Sequence, residues 1–167
     1  CYQRRDDLHF VVPLASYECR QAFDVVLSTI TMRLPVTLLS GQGLEAMAAA
    51  NAVMLASGTA TLECMLLKRP MVVAYRLSPV TYRIARMLVR SRYFSLPNLL
   101  ADRPLVKELI QDEVTPEALG SEALALIEDP QRAQELAVIF SGIHDELRRD
   151  ANRVAADAVL ELAGVQL

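Results

Sequence analysis

Ser57, Gly58 and Thr59 stand between an apolar run, residues 52–56, and an amphipathic stretch that carries Glu63. At a predicted helix start these small residues leave backbone N–H groups bare and add two hydroxyls. The aligned peptide dipoles there favour an anion such as a diphosphate. Strand-to-helix turns also need small capping residues for structural reasons, so the triplet alone leaves both readings open. Glu63 is double in the same way. A carboxylate in the first helical turn suits the helix dipole, and one near a phosphate-binding helix start can accept hydrogen bonds from both ribose hydroxyls of a nucleotide. Arg76, after Tyr75, offers a cation to a phosphate or is a surface charge. Asn98, after Pro97, is a turn residue or an amide presented at a strand end. Gly41, Ser57, Arg76 and Asn98 all fall just after predicted parallel strands, the edge where open α/β sheets bind ligands.

Other chemistries find little support. His9 and His144 are the two histidines, and neither sits near a Ser or Cys turn with an acidic partner. His144, beside Asp145, reads as a surface residue rather than a base held in a pocket. No His/Cys/Asp/Glu cluster has metal-ligand spacing, and there is neither a Walker loop nor a G-x-G-x-x-G fingerprint, so no metal or cofactor is expected. Cys1, Cys19 and Cys64 are odd in number and widely spaced, which predicts free thiols. A net charge of −3 gives no reason to expect nucleic acid. No apolar stretch reaches the roughly 18 to 20 residues that span a bilayer, and CYQRRDD is not a signal peptide, so the cytosol is the expected address. The absence of an initiator Met, with a strand already approaching by residues 6–10, suggests a piece of a longer protein.

The elements that must position these residues follow from periodicity. A short strand is predicted over Leu8 to Leu14. A helix follows over Ser16 to Arg33, with Phe23, Val26, Leu27 and Ile30 on one face, ended by Pro35. A second strand covers Val36 to Leu39, and Ser40-Gly41-Gln42-Gly43 turns into a helix over Leu44 to Asn51. Residues 52–76 read as strand, turn, helix, strand. The nearly unbroken apolar runs indicate parallel strands covered on both faces. Ser78-Pro79 starts a helix running to Arg90, on which Arg83, Arg86 and Arg90 recur at i, i+3 and i+7, followed by Arg92. They form a solvated face or a basic surface beside an anionic substrate or an acidic bilayer. Residues 93–100 predict a short strand running into a shaped loop, and Pro104 a short helix. Thr115-Pro116-Glu117 caps a helix to Ile127, and Asp129-Pro130 opens a long amphipathic helix bent at Gly142. The fold class is α/β: a Rossmann-like parallel sheet with helices on both faces and a long C-terminal helix.

Residues 56–65 (ASGTATLECM) with 68–76 (KRPMVVAYR), and 95–101 (SLPNLLA) with 105–109 (LVKEL), closely resemble the lipid-A-disaccharide synthase family. The resemblance runs from about Phe10 to the C-terminus. It implies a family-19-type glycosyltransferase of the GT-B fold, with residues 1–167 as the C-terminal sugar-nucleotide-binding domain and 130–164 packing toward a partner domain. The N-terminal acceptor domain, with the carboxylate expected to act as general base, would be absent, so no catalytic residue is assigned here. The implied reaction joins UDP-2,3-diacylglucosamine to 2,3-diacylglucosamine 1-phosphate (lipid X) and releases UDP.

By that resemblance Ser57, Gly58, Thr59 and Ala60 hold the diphosphate, Glu63 the ribose, and Gly41 and Gln42 the uracil. Tyr75, Arg76, Pro97, Asn98 and Leu99 line the donor sugar and phosphates. Thr61 and Ala74 stand where alanine and glycine are common in the family. Implied partners are both acylated sugars, the anionic cytoplasmic face of the inner membrane, for which the spacing of Arg83, Arg86, Arg90 and Arg92 makes them the candidate contact, and a second copy in a dimer with exchanged C-terminal parts. This chain alone would bind UDP weakly and transfer nothing. Alternatives are another UDP-sugar GT-B enzyme, of the peptidoglycan glycosyltransferase or UDP-N-acetylglucosamine 2-epimerase type, and a non-catalytic nucleotide-binding module.

Overall fold

A computed structural model describes residues 1–56, 58–88, 91–148 and 151–163 of the chain. The apolar runs form parallel strands. β1 (Phe10–Leu14) pairs with β2 (Val36–Ser40), and β3 (Val53–Ala56), β4 (Met71–Tyr75) and β5 (Lys107–Ile110) pair in that order. Each parallel pair needs a crossover: α1 (Tyr17–Ser28) connects β1 to β2, while α2 (Gly43–Ala49) leads from β2 to β3; α3 (Thr59–Leu66) connects β3 to β4, and α4 (Pro79–Leu88) and α5 (Leu96–Ala101) lie between β4 and β5. Among the described residues no ladder joins the pair to the triplet; α2 touches both β1 and α3. After β5 come a 3-10 turn over Gln111–Glu113 and the helices α6 (Pro116–Glu128), α7 (Pro130–Leu147) and α8 (Ala151–Leu162).

β4 lies between two strands and under α6, which is why Met71, Val72 and Val73 are all buried rather than alternating. Cys64 and Met65 of α3, Leu105, Val106 and Leu109 around β5, Leu126 of α6 and Leu136 and Phe140 of α7 close the core. Full burial of side chains such as Phe140, Met65 and Met71 contributes about 1.5–3 kcal/mol each. Helix starts are set by the capping residues that the pattern indicates. Ser78 Oγ accepts from Thr81 N, Thr115 Oγ1 from Ala118 N and Asp129 Oδ1 from Arg132 N.

Four expectations change. α1 ends at Ser28, well short of Pro35, where the Ser28 and Thr29 hydroxyls donate to the Val25 and Val26 carbonyls. It has no buried residue, and Val26 and Ile30 of its expected inner face are exposed. Residues 96–101 are a helix, because Pro97 in a first helical turn forfeits no intrahelical bond. The stretch after Pro104 is β5 instead of a helix. The free edge of β4 needs partners for its N–H and C=O groups, and that demand overrides local spacing. The last segment, expected as one long helix, continues unbroken through Gly142 but ends at Leu147, where Arg148 leaves the helical region at φ −72°, ψ 67°. Among the described residues no helix is long and apolar enough to cross a membrane.

The end of α3 stores strain. Arg69 N donates to Cys64 O and Lys68 N to Met65 O, the paired bonds of a Schellman ending, with Lys68 at φ 61° where glycine is usual. Lys68→Gly is therefore expected to stabilise the chain by about 1 kcal/mol in urea denaturation, the αL cost outweighing the extra unfolded-state entropy. A lower midpoint would show that the lysine's contacts matter more than its backbone.

Candidate functional site

At the strand-end edge, β3 passes into α3 through Gly58, whose φ of 150° and ψ of −165° favour glycine. A Cβ on Gly58 would meet nothing within 4 Å, so the backbone angle, not crowding, makes the demand. Gly58 brings no side-chain cap. The N–H groups of Thr59 and Ala60 precede the first intrahelical bond, Thr61 N to Gly58 O, and are left unpaired by the helix. Thr59 and Glu63 are both exposed and lie four residues apart on one face, while Thr61, Cys64 and Met65 take the core face. Glu63 is thus in the second turn, not the first, which weakens the reading of it as a dipole-favoured carboxylate. Among the described residues its carboxylate has no hydrogen-bond or ion-pair partner. Ser57 lies outside the described residues.

Thr61 ties this turn to its neighbour. Its buried hydroxyl donates to Gly58 O at 2.7 Å and accepts from Leu96 N at 3.3 Å, so the start of α3 and the start of α5 are held together. What sequence resemblance treats as a small departure is a structural bridge.

Asn98 does something other than present an amide at a strand end. It lies in the first turn of α5, is 1% exposed, and every hydrogen-bonding position of its side chain is filled. Nδ2 donates to Val106 O and Glu108 Oε1, both at 2.9 Å. Oδ1 accepts from Leu105 N at 2.8 Å and Val106 N at 2.9 Å. The two amide N–H donors fix which end of the side chain is oxygen. Glu108 accepts in addition from Phe94 N, Ser95 N at 2.8 Å and Ser95 Oγ at 2.6 Å. The Asn98 side chain therefore has no capacity left for a donor, and its role is to fix the loop. Pro97 is buried beside it; Leu99 is exposed.

Tyr75 ends β4 half-buried and stacks on Phe94, with ring centroids 5.5 Å apart, so the end of β4 also touches the Glu108 loop. Arg76 follows, exposed. Gln111 closes the adjacent strand end, accepting from Leu77 N at 2.6 Å and donating to Leu77 O at 3.0 Å. Gly41 and Gln42 are consecutive left-handed residues at the end of β2, with Gly41 N donating to Leu14 O. Among the described residues no hydrogen bond joins them to the α3 start. Arg83 and Arg92 are exposed; Arg90 and the side chain of Arg86 lie outside the described residues. Burial pushes the Cys64 thiol up to about 12, and it donates to Arg69 O, so it is no nucleophile. No group of acidic, His and Cys residues among those described could hold a metal. Thr61, Glu108 and Gln111 were not expected from sequence. Their partners lie 34 or 35 residues away for Thr61 and Gln111 and 10 to 14 for Glu108, so no local pattern marks them.

A parallel sheet flanked by helices, with a glycine turn and open helix N–H groups at its strand-end edge, defines a Rossmann-like α/β domain. Residues 2–162 match the family model described as lipid-A-disaccharide synthetase. Proteins named lipid-A-disaccharide synthase are 56% identical over 156 residues in Azotobacter vinelandii, covering 93% of this chain and 40% of that protein. The Pseudomonas savastanoi pv. phaseolicola relative is 55% identical over 161 residues, covering 96% and 41%. The Enterobacter relative is 48% identical over 161 residues, covering 96% and 42%. The chain belongs to the lipid-A-disaccharide synthetase family, and it spans about two fifths of the length of these relatives.

Replacing Asn98 by Ala leaves the Leu105 and Val106 N–H groups buried and unpaired, each at about 1–3 kcal/mol. Asn98→Ala is expected to cost about 3 kcal/mol in urea denaturation, and a loss below about 1 kcal/mol would contradict the role assigned to this amide.

Proposed function

We propose that this chain is the UDP-sugar-binding part of a lipid A disaccharide synthase. In that reaction 2,3-diacylglucosamine passes from UDP-2,3-diacylglucosamine to lipid X, with release of UDP. The observation that carries the reading is an unpartnered, exposed Glu63 carboxylate one turn along from the helix-start N–H groups of Thr59 and Ala60, in a chain of this family. A diphosphate seated on those groups is stabilised by the helix dipole and needs no metal. One turn along, the carboxylate accepts from the ribose hydroxyls, as in other dinucleotide folds. Exposed Arg76 gives the departing phosphate a cation, and Tyr75, held by Phe94, limits the sugar side. Gly41 and Gln42 offer backbone groups to uracil. Ser57, Pro97 and Leu99 complete the wall, with Asn98 acting behind it.

Transfer also needs a base to deprotonate the acceptor hydroxyl. None is assigned in this chain, and an N-terminal acceptor domain in the longer protein would supply it. Exposed Arg83 and Arg92 suit the anionic cytoplasmic face of the inner membrane, where acylated substrates reside. On α8 the exposed Val154, Val159 and Leu162 favour packing against a partner domain or a second copy with exchanged C-terminal parts.

Calorimetric titration with UDP tests the donor site. The chain is expected to bind weakly, and Glu63→Ala to lose about tenfold or more, the size of a charge-assisted hydrogen bond. Unchanged affinity in Glu63→Ala would remove the carboxylate from the site. Turnover of both substrates by this chain alone would show that the base lies within it.

A further inference from the structure

The opposite edge of the sheet, where β3 and β4 begin, carries a cavity of about 330 Å³. Its wall includes Asn51, Lys68, Arg69, Pro70, Pro130 and Gln134. The two cations are neighbours because the Schellman ending of α3 turns the chain sharply at Lys68 before β4 enters the sheet. Arg69 is unusual within this fold. Its Nε is buried with no hydrogen-bond partner, the one such side-chain atom among the described residues. Among them its guanidinium has no ion pair either.

A buried N–H of a guanidinium left without an acceptor costs the full desolvation of that group, more than for a neutral donor. Lys68 adds to the same wall. Its ammonium donates to Leu66 O at 3.0 Å and lies 2.6 Å from His144 Nδ1, which must accept there, and one further donor remains for the cavity. Pro130, Ala133, Gln134 and Ala137 line the other side, so the positive end of the 18-residue α7 helix borders the space. Two acids oppose these charges. Asp145 acts on Lys68, and Asp129, beside Pro130, turns Oδ1 to Arg132 N. Neither forms an ion pair with Arg69.

We propose that this cavity binds a phosphate group, free or carried on a small molecule, between Arg69, Lys68 and the start of α7. The phosphate oxygens accept from the Arg69 guanidinium and the Lys68 ammonium, while Asn51 and Gln134 supply neutral donors at the rim. The volume leaves room for a short organic body against Pro70, Pro130 and Leu126. The site is independent of the donor reading, since it lies at the other end of the strands.

Titration of the isotope-labelled chain with inorganic phosphate at constant ionic strength, followed by amide and arginine Nε–Hε resonances, tests it. Saturable shifts are expected at Arg69 Nε–Hε, Ala133 and Gln134. Affinity should fall about tenfold or more in Arg69→Gln. Lys68→Gly, which relieves backbone strain and so keeps the fold, should also weaken binding and carries the test if Arg69→Gln does not fold. Shifts that fail to saturate, that stay confined to Gly58 through Ala60, or that persist at full affinity in Lys68→Gly, would overturn the proposal.

Discussion

Four hydrogen bonds to one buried amide tie α5 to the start of β5. Asn98 joins α5 to the chain entering β5, and Glu108, reached through the same amide, gathers Phe94 and Ser95. Polar groups sealed from water like this are worth most when every member is satisfied, and each loss exposes the desolvation cost of those left behind. From that knot the order spreads by two further contacts. Leu96 N meets Thr61 Oγ1 at the start of α3, and Phe94 stacks on Tyr75 at the end of β4. The glycine turn therefore sits against a fixed neighbour, although the turn itself is exposed.

The parallel sheet explains why chemistry divides between its two edges. Strands β3, β4 and β5 run one way, which puts the helix start after β3 on one side of their sheet and the end of that helix on the other. The strand-end edge thus collects open N–H groups, Glu63 and Arg76. The strand-start edge collects the tail of α3 with Lys68 and Arg69. Rigid placement comes from the core beneath, above all Met71 through Val73 of β4 and Phe140 of α7. Residues proposed to contact ligand can then stay solvent-facing on a fixed base.

Much of this was legible in the sequence where the signal is local. Residues 53–75 formed strand, turn, helix and strand as expected, because two apolar runs and a small-residue turn are contiguous. Ser78, Thr115 and Asp129 capped the helices they precede. The family resemblance carried by residues 56–76 and 95–109 was upheld by the family match. What escaped depends on distant partners. LVKELI has no mark that says strand until β4 offers it an edge. Pro97-Asn98 reads as a loop until Leu105 and Val106 are brought against it. Thr61 reveals its hydroxyl's purpose only when Leu96, 35 residues on, is folded beside it.

The central claim is a nucleotide site built on the α3 start and held from behind by Asn98. Residue-resolved amide shifts on adding UDP test it most directly. The account predicts shifts centred on Gly58, Thr59, Ala60 and Arg76, with the Asn98 side-chain amide nearly unmoved because its bonds are internal. Shifts centred on the Asn98 side-chain amide, with Gly58 through Ala60 silent, would contradict it.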